Sequence, residues 1–385
     1  MSNSINVVTC NISGLKDKKK RQAVFYWLKE KDYDIIFLQE THCHSKQEVH
    51  RWSQEWNGQC IWSKGTNRSK GVAVLFNSKY KYDVTNESID NNGRYIVFNL
   101  VVGENKYRFI NVYTPNSEYE RVKFINEINN WIDPEIETLI AGDFNCTFDS
   151  KLDRKNCIGS RDIGQIDLKN LLHNQNLDDV WRRRFPQKRV FSWSRGNKAS
   201  RIDFWLVSKS LNDQVKTIEY SSCVFSDHKI VRLEFRTSET QRGRGIWKMN
   251  SSVIESELFN SSFPKLWNVW KKEKNKYSDI GVWWDLGKHK IKNLTTWCSY
   301  KLRIDQNDKI NCLEKQIELL ENTAGGNKLS ELYEARSKLE KIIINKAEGA
   351  KIRSRINWYE YGEKSSKYFH SLEKKNAKEK LSQMA

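Results

Sequence analysis

The chain holds 8 cysteines but no Cys-x-x-Cys and no tightly spaced pair. That excludes a small disulfide-stapled scaffold. The one cluster of metal-binding side chains close in sequence, His42-Cys43-His44, has none of the common zinc spacings and reads as a polar loop. Apolar runs never approach the roughly 20 residues that cross a bilayer, so no membrane partner is expected. No secretory leader is seen either, which together with unpaired thiols leads us to expect an intracellular protein of the nucleus and cytoplasm. Acid is also in short supply, with 48 acidic against 66 basic residues and a formal net charge of +18. Such an imbalance suits an anionic partner, most often nucleic acid, although a generic basic soluble protein shares it.

The chain is organised around Thr138-Leu139-Ile140-Ala141-Gly142-Asp143-Phe144-Asn145. A short apolar run predicts a buried strand that stops at a glycine and delivers Asp143 and Asn145. Spaced two apart, they are expected on one face at the strand's C-terminal end. A carboxylate there can take a proton from water, and a neighbouring amide can hold that water. On its own the motif is no stronger than an ordinary turn.

Other strands end in the same way. Ile5 to Asn11 ends in asparagine, Asp34 to Glu40 in a carboxylate, and Gly71 to Phe76 at Asn77. Arg94 to Val102 and Tyr107 to Tyr113 read as a hairpin, closed by Tyr113-Thr114-Pro115-Asn116. Arg201 to Val207 carries Asp203, Val215 to Ser221 is a further strand, and Ser226-Asp227-His228 precedes Ile230 to Phe235. Helical spacing covers Asp17 to Lys31, Lys46 to Trp56, Glu118 to Trp131 and about Ile163 to Gln175. The run Lys16 to Arg21 reads equally as a nuclear-import tract or a solvated first helical turn. Polar residues at one end of successive strands mark a site in a layered α/β fold.

After Arg236 the pattern changes. Residues 238–250 read as a linker, and 251–385 as long helices. Two apolar stripes, Cys312/Leu313/Ile317/Leu320 and Leu332/Ala335/Leu339/Ile342, predict a pair of amphipathic helices that pack on each other or on something else. Residues 1–237 carry 37 basic and 29 acidic side chains, and 238–385 carry 29 and 19, for net charges of +8 and +10. The shorter part is therefore more basic per residue. Its tryptophans sit among lysines, which suits nucleic-acid contact and equally suits buried helix faces.

Taken together, the strand-end residues make a kit for hydrolysing a phosphodiester. Mg²⁺, or Mn²⁺ in its place, wants carboxylate oxygens, and Glu40 with Asn11 beside it is the natural ligand set. Asp143 and Asn145 would hold and deprotonate water. His228 would give a hydrogen bond or proton to a phosphate oxygen, with Asp203 orienting the ring, while Tyr113 and Asn116 would bind the remaining phosphate oxygens.

Asn11, Leu38-Gln39-Glu40-Thr41, Asn111 to Asn116, Gly142-Asp143-Phe144-Asn145, Arg201-Ile202-Asp203 and Ser226-Asp227-His228 together resemble the endonuclease/exonuclease/phosphatase family, in its order and spacing over about 1–237. Within it the chain most resembles the apurinic-like endonuclease domain of LINE-type non-LTR retrotransposon polyproteins. Gly243 to Asn250, Lys351 to Trp358 and Gly362 to Phe369 look like the stretches between that endonuclease and the reverse transcriptase. No Tyr-x-Asp-Asp motif follows, which suggests a fragment or truncated copy.

The resemblance implies a four-layer α/β sandwich, two packed β-sheets flanked by helices, followed by a mainly helical C-terminal extension. It implies metal-dependent nicking of one DNA strand with a 3′-hydroxyl left to prime reverse transcription. It adds Ser192 as a phosphate ligand and Asp227 as a second aspartate that assists the metal or braces the site. DNA is the expected partner, with the element's RNA on the basic tail. The loop Ser194 to Ser200 is expected as a hairpin at the rim of the site. Arg195 would enter a minor groove and Lys198 would meet a phosphate. Two rivals stand beside this reading. One is an abasic-site repair endonuclease of the same fold, which the tail disfavours. The other is a catalytically inactive nucleic-acid-binding remnant, disfavoured because every matched position is filled.

Overall fold

A computed structural model of the chain describes residues 4–78, 81–156, 163–237, 253–323 and 329–353. In chain order its elements begin with β1 (Ser4–Asn11), α1 (Lys18–Glu30), β2 (Ile35–Gln39), α2 (Lys46–Trp56), β3 (Cys60–Ser63) and β4 (Val72–Phe76). Next come β5 (Asp83–Ile89), β6 (Tyr95–Val102), β7 (Asn105–Tyr113), α3 (Glu118–Ile128), β8 (Glu137–Asp143), β9 (Arg154–Lys155), α4 (Gln165–Asn174), β10 (Leu177–Asp179) and α5 (Val180–Arg184). The remainder is β11 (Trp193–Arg195), β12 (Lys198–Ser200), β13 (Asp203–Ser208), β14 (Val215–Ser222), β15 (Lys229–Arg236), α6 (Glu257–Lys272), α7 (Ile280–Thr323) and α8 (Leu329–Arg353).

The strands form two six-stranded sheets, ordered β14-β15-β1-β2-β4-β3 and β10-β13-β8-β7-β6-β5. Both are mixed, with one parallel pairing each, β1 with β2 and β7 with β8. Their facing sides share one apolar core that includes Val7, Phe37, Val74, Phe98, Phe109, Leu139, Trp205 and Leu233. The other side of the second sheet, with Ile110, Val112, Ile140 and Phe204, is covered by Phe124 and Ile125 of α3 and by Leu168 and Leu171 of α4. Because both faces are covered, β2 and β8 read as nearly unbroken apolar runs rather than alternating ones. The expected sandwich of two sheets flanked by helices, with a helical C-terminal region, is therefore what the chain adopts.

Local chemistry sets the helix starts. Asp17 caps α1 through Lys20 N at 2.6 Å, and Ser45 caps α2 through Glu48 N at 3.1 Å. Gly142 sits mid-sheet because β7 passes so close that a Cβ there would lie 1.8 Å from Val112 O. Its room serves the neighbouring strand, and β8 runs on through it to Asp143 instead of stopping there. Directly beneath the strand ends, the buried Asn111 of β7 accepts from Gln39 Nε2 at 2.7 Å and donates to Ala73 O at 2.9 Å. The two sheets are thus joined by polar bonds inside an otherwise apolar core.

Several elements carried no clear signal. β3 and β9 are short, and β5 is an exposed edge strand whose residues never alternate cleanly. β11 is also short and begins at Trp193, just after Ser192.

By internal contacts the chain divides into two compact units, Met1–Gly243 with Asn311–Ile344, and Arg244–Ile310 with Asn345–Ala385. The first thus takes in helical residues beyond the strand-built 1–237. Ile317 and Leu320 of α7 are buried, as are Leu332, Ala335, Leu339 and Ile343 of α8. The second stripe therefore runs 3-4-4, ending on Ile343 rather than Ile342, and Cys312 is exposed. Within this unit the Glu321 side chain, 6% exposed, lies between Lys229 at 2.8 Å and Arg336 at 2.7 Å, and Lys31 pairs with Glu314 at 3.0 Å. An apolar stripe shows that a helix is covered but not by what, so sequence left this docking open. In the second unit Trp270 and Trp283 stack at 4.5 Å and are buried, whereas Trp284 and Trp297 are exposed. Residues 238–250, and Gly362 to Phe369, lie outside the described residues, as does all but the start of Lys351 to Trp358. No helix among the described residues is long and apolar enough to cross a membrane.

Glu321→Ala leaves Lys229 and Arg336 without their shared carboxylate in a largely desolvated place. It should cost about 3 kcal/mol of stability, the low end for breaking a buried pair because both cations keep some water. Urea unfolding of the full chain, followed by tryptophan fluorescence, measures this. A loss within the error of the midpoint would show that the helices carry no weight in the fold.

Candidate active site

Three neighbouring strands of each sheet end at the same rim. In the first sheet β15, β1 and β2 present His228, Asn11 and Glu40. In the second, β13, β8 and β7 present Asp203, Asp143 and Tyr113. Asp203 and Asp143 are register partners, and so are Tyr113 and Asp143. Across the sandwich the two rows meet pair by pair. His228 Nδ1 lies 2.9 Å from Asp203 Oδ2, Asn11 Nδ2 donates to Asp143 Oδ2 at 3.0 Å, and Tyr113 Oη donates to Glu40 Oε1 at 2.6 Å. Asn11 Nδ2 also donates to Glu40 Oε1 at 3.1 Å and so links two of the pairs.

These contacts set the charges. Burial opposes a charge on His228, but Asp203 beside it, then Asp143 and Asp227, outweigh that and lift its pKa to about 10. At neutral pH it is an imidazolium, with Nε2 3.9 Å from Asp143 Oδ2. Asp143 moves the other way for a carboxylate. Burial and the neighbouring Asp203 raise it to about 7, against the pull of His228, Asn11 and the Asn145 amide. It therefore sits where a group can take a proton and give it up again. Burial also works against Glu40. There the His42 ring, the hydrogen bonds from Tyr113 and Asn11, and the charge of His228 prevail and hold it down at about 2.

Ligand atoms of Asp143, Asp203 and His228 lie within 4.8 Å of one another. This trio is a poor metal cage, because a protonated imidazole has no lone pair to offer. Glu40 suits a hard cation better. It is ionised, the hydrogen bonds from Asn11 and Tyr113 both arrive at Oε1, and Oε2 lies 3.6 Å from His42 Nε2. Asn11, expected as a second metal ligand, has its oxygen turned to Ser13 N at 3.0 Å and presents its amide hydrogens to Glu40 and Asp143. It braces the two carboxylates.

Asn145 lines the cavity with Asp143, but not through strand alternation. The strand ends at Asp143, and Asn145 has a left-handed backbone (φ 49°) with its N–H donating to Asp143 Oδ1 at 2.9 Å. Its side-chain amide donates to Thr114 O. Asn116 is exposed at the cavity rim. Tyr113 spends its hydroxyl on Glu40 instead of reaching outward. Ser192 differs most from expectation. Fully buried, its Oγ accepts from Ile202 N at 2.9 Å and Asp203 N at 3.0 Å, so it fixes the backbone of Asp203 and does not face the cavity. The Asp227 carboxylate lines the cavity and is held by Trp193 Nε1 at 3.0 Å.

The expected hairpin is present as β11 and β12, joined by Gly196 and Asn197 with Gly196 at φ 63°. β12 also pairs with β9, giving a small three-stranded sheet. Arg195 faces the cavity, and Lys198 is its exposed register partner across the turn. Beneath the hairpin the fully buried Arg201 grips Asp153 at 2.8 Å and Asp179 at 2.7 Å, and Arg182 also reaches Asp153. Arg154 and Trp193 line the same cavity, of about 420 Å³, and were not anticipated. Arg154 lies on a two-residue strand with no periodic signal, whereas Trp193, next to Ser192, stood within reach of sequence reasoning.

A model of the endonuclease/exonuclease/phosphatase family matches residues 8–228, the whole stretch that builds this rim. The chain belongs to that family. Its nucleases are divalent-metal dependent, and this member carries the buried Asp-Asp-His cluster described above. Similarity also runs beyond the family domain. The transposon TX1 uncharacterized 149 kDa protein of Xenopus laevis is 28% identical over 388 residues, 98% of this chain, helical region included. The chain spans 29% of that protein's length. An exodeoxyribonuclease of Bacillus subtilis is 26% identical over 60% of this chain and 98% of its own. Among solved structures, the AP endonuclease LMAP of Leishmania major shares the fold with a TM-score of 0.52, at 16% identity, over 61% of this chain and 88% of that one. By fold the chain is an AP-endonuclease-type sandwich, in a family that includes nucleases.

His228 and Asp203 give a test of the site's electrostatics. A histidine pKa raised from 6.5 to about 10 contributes stability that is complete below pH 6.5 and is lost as pH rises through 10. Asp203→Asn removes the main cause, so the ring's pKa falls back toward its ordinary value. The stability difference between the two proteins should be large at pH 7 and shrink by pH 10. NMR titration of the ring, with melting curves at both pH values, checks it. A wild-type ring that titrates near 6.5 would refute the assignment.

Proposed function

We propose that this chain is a Mg²⁺-dependent DNA endonuclease, with Mn²⁺ as a substitute, that nicks one strand and leaves a 3′-hydroxyl suited to prime reverse transcription in a retrotransposon. The observation that carries the reading is the Asp143–His228 arrangement, a carboxyl with a pKa of about 7 beside an imidazolium, opening into a cavity also lined by Glu40. The similarity to a transposon protein along almost the whole chain supports the retrotransposon setting.

In this reading a water held by Asn145 gives its proton to Asp143 as its oxygen attacks phosphorus. The bond from phosphorus to the 3′-oxygen breaks, the proton ends on that oxygen, and the phosphate stays on the 5′ end of the other fragment. His228 donates a hydrogen bond to a non-bridging phosphate oxygen and offsets the charge gathering there. A divalent cation on the Glu40 carboxylate would supply Lewis-acid stabilisation of the developing negative charge. Tyr113 and Asn11 keep that carboxylate ionised and aimed. Residues 1–237 would carry the chemistry and 251–385, beyond a linker at 238–250, would add salt-sensitive nucleic-acid affinity, including for the element's RNA.

Asp143→Ala and His228→Ala should each lower plasmid nicking by roughly 10²- to 10⁴-fold with duplex binding largely intact. Glu40→Ala should in addition raise the Mg²⁺ concentration needed for half-maximal rate. Wild-type nicking by Asp143→Ala would end this mechanism. Replacing 194–200 by a short glycine-serine turn should change which positions are nicked more than the rate at the best position, because Arg195 at the cavity rim would read groove width. Nick mapping on a long mixed-sequence duplex at matched salt gives the answer, and an unchanged pattern would show that the hairpin does not read DNA.

A further inference from the structure

The β11–β12 hairpin has two sides, and only one faces the active site. Along a strand, side chains alternate. Trp193, Arg195 and Ser200 line the catalytic cavity, while Ser194 and Ala199, the residues between them, line a second groove of about 430 Å³. The same division occurs at the start of β15, where His228 faces the first cavity and Lys229 the second. The two spaces are thus separated by the thickness of one hairpin.

The second groove mixes aromatic rings with cations. Phe185 and Phe191 are half-buried in its wall. Lys188 lies 5.3 Å over the Phe185 ring and 5.6 Å over Trp181, and Arg189 lies 5.3 Å over Phe191. Lys188 and Arg189 are exposed at the mouth, with Lys216 and Lys229 further along the lining. Glu318 is exposed on the α7 side. Rings offer base faces a place to stack, and cations beside them meet phosphates. A duplex keeps its base faces hidden and is far too wide for a space of this volume.

We propose that this groove binds single-stranded nucleic acid, one or two bases against Phe185 and Phe191 with the backbone on Lys188. Its position one hairpin away from the catalytic cavity suits a strand end that has come free of the duplex at a nick. Only that last assignment rests on the proposed nicking activity; the binding chemistry does not.

The test uses the full chain in EDTA, so that cleavage plays no part, and a short fluorescent oligonucleotide of mixed sequence, as DNA and as RNA, read by anisotropy. Phe191→Ala should weaken binding about tenfold by loss of one stacked base. Lys188→Glu should weaken it too and lower the salt slope by roughly 0.7, the share of one single-strand phosphate. Glu318→Gln should strengthen binding, a gain that no misfolded variant would produce. Blunt duplex affinity should stay within twofold in all three. Equal effects on DNA and RNA support a site for either strand, and effects on one alone name its source. If single-strand affinity is unmoved by all three changes, or if duplex affinity moves with it, the groove is not a single-strand site. A chain that never nicks can still meet these expectations, so the two proposals fail separately.

Discussion

One buried cation holds the site together. Asp143 and Asp203 stand at directly paired register positions of β8 and β13, an arrangement that two ionised carboxylates resist. The His228 ring answers this from the opposite sheet, bonded to Asp203 and within ion-pair range of Asp143. Both unusual pKa values come from this one arrangement. The ring is held charged because two carboxylates surround it, and Asp143 is raised by its burial and by the charge of Asp203, which has the closer claim on the ring. Alone at this depth the imidazolium would neutralise, whereas burial by itself would still raise Asp143.

The arrangement depends on two sheets keeping their strand ends level to within a hydrogen bond. Three facing pairs span the gap at the rim, and just below them Gln39 and Asn111 span it again. A purely apolar core tolerates sliding between layers, whereas a row of directional bonds does not. The close approach of β7 at Gly142 sets the third coordinate, bringing Tyr113 and Asp143 into register in one sheet. Fold and site are in this sense the same set of contacts seen at two depths.

Much of this was legible before any coordinates. Buried strands are short apolar runs, and the polar residues at their ends pointed to Asn11, Glu40, Tyr113 and Asp143, with His228 just ahead of the last strand; which sheet each would come from was not legible. Asp203, the sixth, was visible near the start of the run Arg201 to Val207, and the structure makes it the first residue of its strand. What the sequence withheld was direction. An asparagine at a strand end has both an acceptor and donors, and nothing in its neighbours says which will face a carboxylate, so Asn11 was expected to bind metal. A serine beside a matched motif can look inward or outward, and Ser192 looks inward. The docking of α7 and α8 was hidden for a different reason, because burial of a stripe does not identify its cover. Arg154 escaped because two residues of strand make no period.

The buried Arg201–Asp153–Asp179 cluster lies at the root of the small sheet that carries the β11–β12 hairpin. A loop that adapts to its partner spends conformational entropy at each encounter. This one is anchored by paired charges that have no solvent to exchange with, and its turn is only two residues long. Under the proposed function a duplex at the hairpin would therefore find a fixed wedge, and the shape change required for a fit would fall on the nucleic acid.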